Sequence, residues 1–256
     1  MKNEKRCTAI VLAAGSGSRM QGDVPKQYMM LAGRPVIWYS LRAVERSKVI
    51  DDCILVAAAE DLEFVSEEIV KKYNFSKVDV IAPGGAERYD SVMCALRVIE
   101  NGGLSVPNHD GYVFIHDGAR PFLTEKMLAR LADAVSEYHA CVAAMPAKDT
   151  IKISDDEGFA LQTPDRRSVW SVQTPQVFET QLIIEAYERL FGRRQRLQEQ
   201  GIAITDDAGV VELFTGYRVK MVEGSYGNIK LTTPEDMIVA EAFLREILKS
   251  DKKPQA

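Results

Sequence analysis

The residues of this chain that could do chemistry are glycines, cations and one well-placed carboxylate. The segment from Ala9 to Gln27 reads AIVLAAGSGSRMQGDVPKQ. Gly15 and Gly17 lack Cβ, so backbone N–H groups there can converge on phosphate oxygens. Arg19 and Lys26 follow and would add full positive charge. The spacing is not the GxxxxGK[ST] of a Walker loop, and Met20 stands where GxGxxG needs its third glycine. The loop is therefore either a phosphate cradle of another kind or only a turn. In YVFIHDGARPF, Asp117 could hold a divalent metal, because Mg²⁺ takes one or two carboxylates plus substrate phosphates and water. The structural alternative makes Asp117 a cap or turn residue and Arg120 its ion-pair partner, with His116 a satisfied structural histidine.

Two further segments carry candidates. In APGGAERYDSV, Ser91 is either a helix N-cap or a hydrogen-bonding group for the edge of a flat base lying against Gly84 and Gly85. In GSYGNIKLTTPED, Lys230 stands beside two threonines just before a helix, where the chain returns toward the first loop. Arg193, Arg194 and Arg196, among glutamines, read as a solvated helix face. No G-x-S-x-G, Cys–His or HExxH constellation is present, so covalent catalysis has no support. Phosphate-binding backbone, several cations and one carboxylate suit phosphoryl or nucleotidyl transfer, in which positioning and charge neutralisation do most of the work.

The elements that must position these residues alternate. Short apolar runs predict strands at Thr8–Ala13, Cys53–Ala58, Val78–Ala82, Tyr112–His116, Cys141–Met145 and Arg218–Val222. Amphipathic stretches predict helices at Val36–Arg46, Leu62–Tyr73, Ser91–Glu100, Glu125–Tyr138 and Pro234–Leu248. Such alternation implies an α/β fold, a mostly parallel sheet with helices on both faces, with ligands beyond the carboxyl ends of the strands. Gly15, Gly84-Gly85 and Asp117 all fall at those ends. Residues 147–172 break the pattern: Thr150–Ser154 and Phe159–Thr163 predict a hairpin around Asp155-Asp156-Glu157-Gly158. It is either a simple surface hairpin or, the preferred reading, an arm that packs on a second subunit.

Bulk properties narrow the classes. The 256 residues suit one large domain, residues 1–256, with that arm as an appendage, and a 46% hydrophobic content is ample for its core. A net charge of −5 argues against a nucleic-acid binder working through a general basic field, so any anion site must be local. Four scattered cysteines with no CxxC pair predict free thiols in a reducing compartment. No run approaches the roughly 20 apolar residues of a membrane span. The charged start MKNEKRCT fits no signal peptide, so a cytoplasmic location is expected.

Taken together, LAAGSGSRM, PKQY, GGAERYDSV, HDGARPF, QTPQVF, ITDDAG and NIKLTTPED resemble the 2-C-methyl-D-erythritol 4-phosphate cytidylyltransferases, in consistent order over about residues 8–248. The resemblance implies a Rossmann-like, GT-A-like nucleotidyltransferase fold, Mg²⁺ dependence and a homodimer with exchanged arms. It implies transfer of CMP from CTP to methylerythritol phosphate, with release of pyrophosphate, in non-mevalonate isoprenoid synthesis. It also implies roles: Gly15, Gly17, Arg19, Lys26 and Lys230 around the CTP phosphates; Ala14, Gly85 and Ser91 on cytosine; Asp117 on Mg²⁺ near the ribose. Arg120, Thr174 and Thr205 would line the methylerythritol phosphate site, with Thr150 and Arg166 reaching it from the partner's arm; Arg167 is the alternative to Arg166. Gly118 stands where the family often has alanine, and Ala86 where an acidic residue can occur. A ribitol-5-phosphate cytidylyltransferase would share the CTP motifs and is the alternative enzyme; a catalytically silent nucleotide-binding module is the alternative from another class.

Overall fold

The computed structural model describes residues 5–15, 24–201 and 203–250. The chain opens with β1 (Cys7–Ala13), then a short pair of strands β2 (Met30–Leu31) and β3 (Arg34–Pro35), helix α1 (Val36–Arg46) and β4 (Asp52–Ala57). Helix α2 (Leu62–Phe64) runs into a π-helical stretch, Val65–Lys71, before β5 (Val78–Pro83), α3 (Arg88–Glu100), β6 (Tyr112–Asp117), α4 (Glu125–Tyr138) and β7 (Ala140–Pro146). A hairpin of β8 (Ile153–Ser154) and β9 (Ala160–Gln162) precedes β10 (Trp170–Glu179), α5 (Thr180–Glu199), α6 (Asp207–Thr215), β11 (Lys220–Glu223) and α7 (Pro234–Ser250).

Seven strands form one sheet in the order β11-β7-β10-β6-β1-β4-β5. The pairs β1–β4, β1–β6, β4–β5 and β11–β7 are parallel; β10 alone runs against its neighbours β6 and β7. The mostly parallel α/β expectation holds, with one antiparallel strand the sequence reading did not include. Residues Gln173 to Pro175 explain the omission: they are polar or proline, which reads as a break, and they fall where the β10–β7 register shifts between Val172 and Gln176. That irregularity turns Gln173 and Thr174 out of the ladder and toward the site.

The period of two along each strand sorts side chains into two cores. Cys7, Ala9, Val11, Cys53, Leu55 and Phe114 pack with residues of α1, the π-helical stretch and α4 on one face. Ile10, Ile54, Val56, Val113 and Ile115 pack with α3, α5 and α6 on the other. Both faces are covered, which is why the central strands read as unbroken apolar runs. The chain leaves β1 toward β4 in one direction and reaches β6 on its other side. The carboxyl ends of β1 and β6 therefore border a crevice at a topological switch point.

The predicted hairpin forms around Asp155–Gly158, in shorter strands than expected, with Ile153 paired to Gln162. Helices α5 and α6 were not among the predicted elements. Helix α3 starts at Arg88 rather than Ser91, because Glu87 is its N-cap and Asp90 Oδ2 accepts from the Glu87 N–H at 3.0 Å. Ser91 is thus inside the helix, and the N-cap alternative for it is set aside. The cysteines are free thiols, with Cys7, Cys53 and Cys141 buried. Among the described residues no helix is long and apolar enough to cross a membrane.

Candidate functional site

Two cavities open beyond the carboxyl ends of the strands. The first, about 320 Å³, is lined by Ala14, Gly15, Lys26, Gly85 and Ser91, among others. The second, about 530 Å³, is lined by Arg120, Gln173, Thr174, Thr205 and Asp206, among others. Arg88, Asp117 and Lys230 line both and form the wall between them. The residues expected to hold a nucleotide and those expected to hold an acceptor are thus segregated on either side of a charged partition. Gly17 and Arg19 lie outside the described residues.

The partition is an ion cluster around Asp117. Lys230 Nζ lies 2.8 Å from Asp117 Oδ2, Arg88 Nε donates to Oδ1 at 3.2 Å, and Arg120 Nε stands 3.9 Å from Oδ2. Burial alone would raise the Asp117 carboxyl, but Arg88, then Lys230 and Arg120, outweigh burial and hold it well below the usual carboxylate range. Asp117 is therefore a fixed anion at any pH at which the protein works. Arg88 also forms a two-pronged bond to Asp207, Nη1 to Oδ1 and Nη2 to Oδ2, both at 2.8 Å. Burial would lower the Arg88 guanidinium, yet Asp207 and Asp117 raise it well above its ordinary value.

Backbone geometry delivers each group. Gln27, buried, donates from Nε2 to Ala13 O at 2.6 Å and to Gly15 O at 3.1 Å, so the PKQ turn is tied to the end of β1 and carries Lys26 with it. The Ser91 hydroxyl accepts from the Gly85 N–H at 3.1 Å, fixing the glycine pair against α3. Gly84 is required there: a Cβ would stand 2.3 Å from Ala14 Cβ. Gly118 is closely packed too: a Cβ there would stand 2.8 Å from the Leu12 carbonyl oxygen, so alanine would come with a local shift of β1 or β6. The loop bearing Lys230 is pinned beside β6 by Leu231 N–H to Ala119 O at 2.9 Å and Arg120 Nη1 to Asn228 O at 2.8 Å.

Thr174 links β10 to the cluster. Its hydroxyl accepts from the Asp117 N–H at 3.0 Å, so its own proton goes to His116 Nδ1, also at 3.0 Å. Nε2 of His116 then carries the ring proton and donates to the Arg120 carbonyl at 3.1 Å. Burial lowers His116 to about 4, so the ring is neutral and acts as a spacer, as expected of a structural histidine. Arg120 Nε is buried with no hydrogen-bond partner, and the side chain borders the second cavity. A guanidinium bordering the cavity suits an anionic ligand.

Thr150 and Arg166 line neither cavity. They sit on the arm, bonded to each other, Arg166 Nη2 donating to Thr150 Oγ1 at 2.8 Å. Arg167 pairs instead with Asp165 at 2.6 Å and is 90% exposed at its side chain. Sequence reading missed Arg88 as a site residue, though it lies inside GGAERYDSV, and missed Asp207 inside ITDDAG. Arg194, read as solvated, bonds to Asp90 Oδ1 at 2.9 Å and lies over the Tyr89 ring.

Metal chemistry fits the cluster in a limited form. Among the described residues no group of three His, Cys, Asp or Glu side chains could hold an ion. Asp117, on the shared wall, could contribute: each of its oxygens has two lone pairs, and Lys230 and Arg88 occupy one on each. That donor set suits a Mg²⁺ ion whose other ligands are substrate phosphates and water.

Comparison with known proteins agrees with this geometry. The family model "IspD: 2-C-methyl-D-erythritol 4-phosphate cytidylyltransferase" matches residues 7–246. A protein of that name from Lachnospira eligens is 48% identical over 240 residues, covering 93% of this chain and 99% of its own length. Another from Lachnoclostridium phytofermentans is 45% identical over 242 residues, covering 94% and 97%. The crystal structure of 4-diphosphocytidyl-2C-methyl-D-erythritol synthase from Anaerococcus prevotii superposes with a TM-score of 0.79 at 35% identity, covering 94% of this chain and 96% of that one. That of the cytidylyltransferase from Thermus thermophilus gives 0.67 at 28% identity, covering 92% and 98%. Paired cavities at the strand ends and likeness along nearly the whole chain lead to one assignment: this chain belongs to the 2-C-methyl-D-erythritol 4-phosphate cytidylyltransferase family.

Proposed function

We propose that this protein transfers the CMP group of CTP to 2-C-methyl-D-erythritol 4-phosphate, giving 4-diphosphocytidyl-2-C-methyl-D-erythritol and pyrophosphate. The observation that carries the reading is the shared wall of Arg88, Asp117 and Lys230 between a glycine-lined cavity and a larger polar one. CTP occupies the first, with cytosine at Ala14, Gly85 and Ser91 and its phosphates at Gly15, Lys26 and Lys230; Gly17 and Arg19 join that group by family resemblance. The alcohol phosphate occupies the second, at Arg120, Thr174 and Thr205. An oxygen of its phosphate attacks the α-phosphorus of CTP. The new P–O bond forms as the bond to the β-phosphate breaks, and pyrophosphate leaves with the electron pair. Phosphate is already a nucleophile near neutral pH, so no general base is required, and His116, neutral and internally bonded, is not one.

Two anions must meet for this step. Two unit charges 4 Å apart repel by about 4 kcal/mol at an effective dielectric near 20. Lys26, Lys230 and Arg120 offset that repulsion, and Lys26 and Lys230 stabilise charge developing on the leaving group. Mg²⁺, held by Asp117 and the triphosphate, would neutralise phosphate charge when bound.

The acceptor cavity is completed by a second subunit in this reading. Arm residues Ile151, Ile153, Phe159 and Leu161 are 42%, 47%, 68% and 68% exposed, an apolar surface that a partner would cover. The bonded pair Arg166–Thr150, which lines neither cavity of its own chain, supports delivery of both to the partner's acceptor site. Since CTP is an intracellular nucleotide, the proposed site of action is the cytoplasm. Pyrophosphate release from CTP measured with methylerythritol phosphate and, separately, with ribitol 5-phosphate tests the function. Activity with the first acceptor is expected; preference for ribitol 5-phosphate, or release with neither, would overturn it.

A further inference from the structure

We infer that the Arg88–Asp207 ion pair, braced by Tyr187, is a positioning device that sets the nucleotide cavity and the acceptor cavity against each other. The inference rests on the transfer reaction proposed above and assigns a role to Asp207 and Tyr187, which line neither substrate's cavity and act through Arg88, which lines both.

Arg88 is the first residue of α3 and Asp207 the first of α6. Helix α3 also presents Ser91 to the first cavity, while Thr205 and Asp206, immediately before Asp207, border the second. One bidentate bond thus joins the two helix starts across 119 positions of sequence. Asp207 is fully buried and lines neither of these cavities. Its Oδ1 accepts from Arg88 Nη1 at 2.8 Å and from the Tyr187 hydroxyl at 2.5 Å, and Oδ2 accepts from Nη2 at 2.8 Å. Tyr187 is itself fully buried on α5, and burial with Asp207 close by pushes its hydroxyl well up, so it remains a donor. The guanidinium is therefore clamped in plane from behind by Asp207 while its Nε reaches Asp117.

Local structure does not need this pair. The start of α6 is already satisfied by Asp206 Oδ1, which accepts from Gly209 N–H at 3.0 Å, and by Gln176 Oε1, which accepts from Ala208 N–H at 2.8 Å. The start of α3 is held by Asp90 on Glu87 N–H at 3.0 Å. A buried carboxylate is costly to desolvate, and here it does no capping. What it does is fix the wall both substrates share. In-line transfer is sensitive to placement, and an error of about 1 Å between reactants costs on the order of 10² in rate.

The test compares Asp207→Asn, which keeps shape and removes charge, with the gentler Tyr187→Phe. Asp207→Asn is expected to lower kcat on the order of 10²-fold, with the KM for CTP changed by less than about threefold because the groups holding the nucleotide are intact. Tyr187→Phe is expected to fold normally and lose roughly tenfold in kcat with the same split, the scale of one hydrogen bond to a charged group. Amide hydrogen exchange, which does not depend on turnover, is expected to quicken at the starts of both α3 and α6 in each variant. Folded variants with kcat within threefold of the parent, or faster exchange at α6 alone, would overturn the inference. A parent protein that releases no pyrophosphate would instead overturn the proposed reaction, and exchange at α3 would still decide the role of the pair.

Discussion

Replacing Asp117 by asparagine should weaken the empty protein yet make it hold pyrophosphate more tightly. Three cations, Arg88, Arg120 and Lys230, face two carboxylates, Asp117 and Asp207. The substitution leaves the shape and removes one of the two negative charges, so the cluster gains a unit of net positive charge. At 2.8 Å the Lys230–Asp117 attraction alone is about 6 kcal/mol gross at an effective dielectric near 20. Much of that is cancelled by desolvation, and breaking a buried pair typically costs 3–5 kcal/mol net. The unfolding entropy of 256 residues is roughly 0.5 kcal/mol/K, so the melting temperature should fall by about 6–9 °C. Pyrophosphate in EDTA then supplies the missing anion. Binding at least tenfold tighter than to the parent adds about 1.4 kcal/mol of ligand stabilisation, or about 3 °C beyond the parent's own shift. Thermal melts of both proteins, with and without pyrophosphate, measure all of this. An unchanged melting temperature, or equal pyrophosphate shifts in the two proteins, would refute the claim that Asp117 is the anion holding these cations together.

Four other outcomes are expected. Lys26→Ala should lower turnover by on the order of 10²–10³, the scale of losing a principal electrostatic donor; steady-state pyrophosphate release checks it. Arg166→Ala should raise the KM for the alcohol phosphate more than that for CTP, whereas equal effects would argue against the cross-subunit role. Phe159→Glu with Leu161→Glu should convert the proposed dimer to monomers by sedimentation and weaken the alcohol phosphate site, because both side chains, each 68% exposed, belong to the apolar surface proposed to pack on a partner. His116 is lowered to about 4 by burial, so the unfolded chain binds its proton first as pH falls through about 6.5. Stability should therefore drop between roughly pH 6.5 and 4 by up to about 3 kcal/mol from this group, and urea midpoints of His116→Gln should show a shallower fall over that window.

How much of this was legible in the sequence depended on the range of the interaction. Helices α1 and α4 appear at their predicted bounds, because each buries one stripe of apolar residues against the sheet and says so within its own eleven or fourteen residues. Strand β1 was legible because a fully buried parallel strand is continuous in its apolar character. Strand β10 was not: its middle, Gln173-Thr174-Pro175, is polar and proline-broken, and it pairs antiparallel between β6 and β7, two strands that both precede it in the chain. Gly15, Gly85, Lys26, Asp117, Arg120 and Lys230, which line the cavities, could be picked out because they lie at strand ends or in motifs. Arg88 and Asp207 were not, because a lone charge at a helix start reads as ordinary surface until its partner, 119 residues away, is brought to 2.8 Å.

The same distinction bears on why the site is charged before any substrate arrives. A crevice with several uncompensated cations at a sheet end would be costly to fold, since like charges repel across a cavity of low dielectric. Asp117 and Asp207 relieve that repulsion in different ways. Asp207 is fully buried and bound on both oxygens by Arg88, so its negative charge is permanently committed to structure. Asp117, at the cavity wall, shares its charge among Arg88, Lys230 and Arg120 at 3.2, 2.8 and 3.9 Å. A phosphate entering the first cavity competes with Asp117 for Lys230, and one entering the second competes for Lys230 and Arg120, but neither competes with Asp207 for Arg88. The empty site is thus kept foldable by an anion whose partners a substrate can borrow, while the guanidinium between the cavities stays where it is.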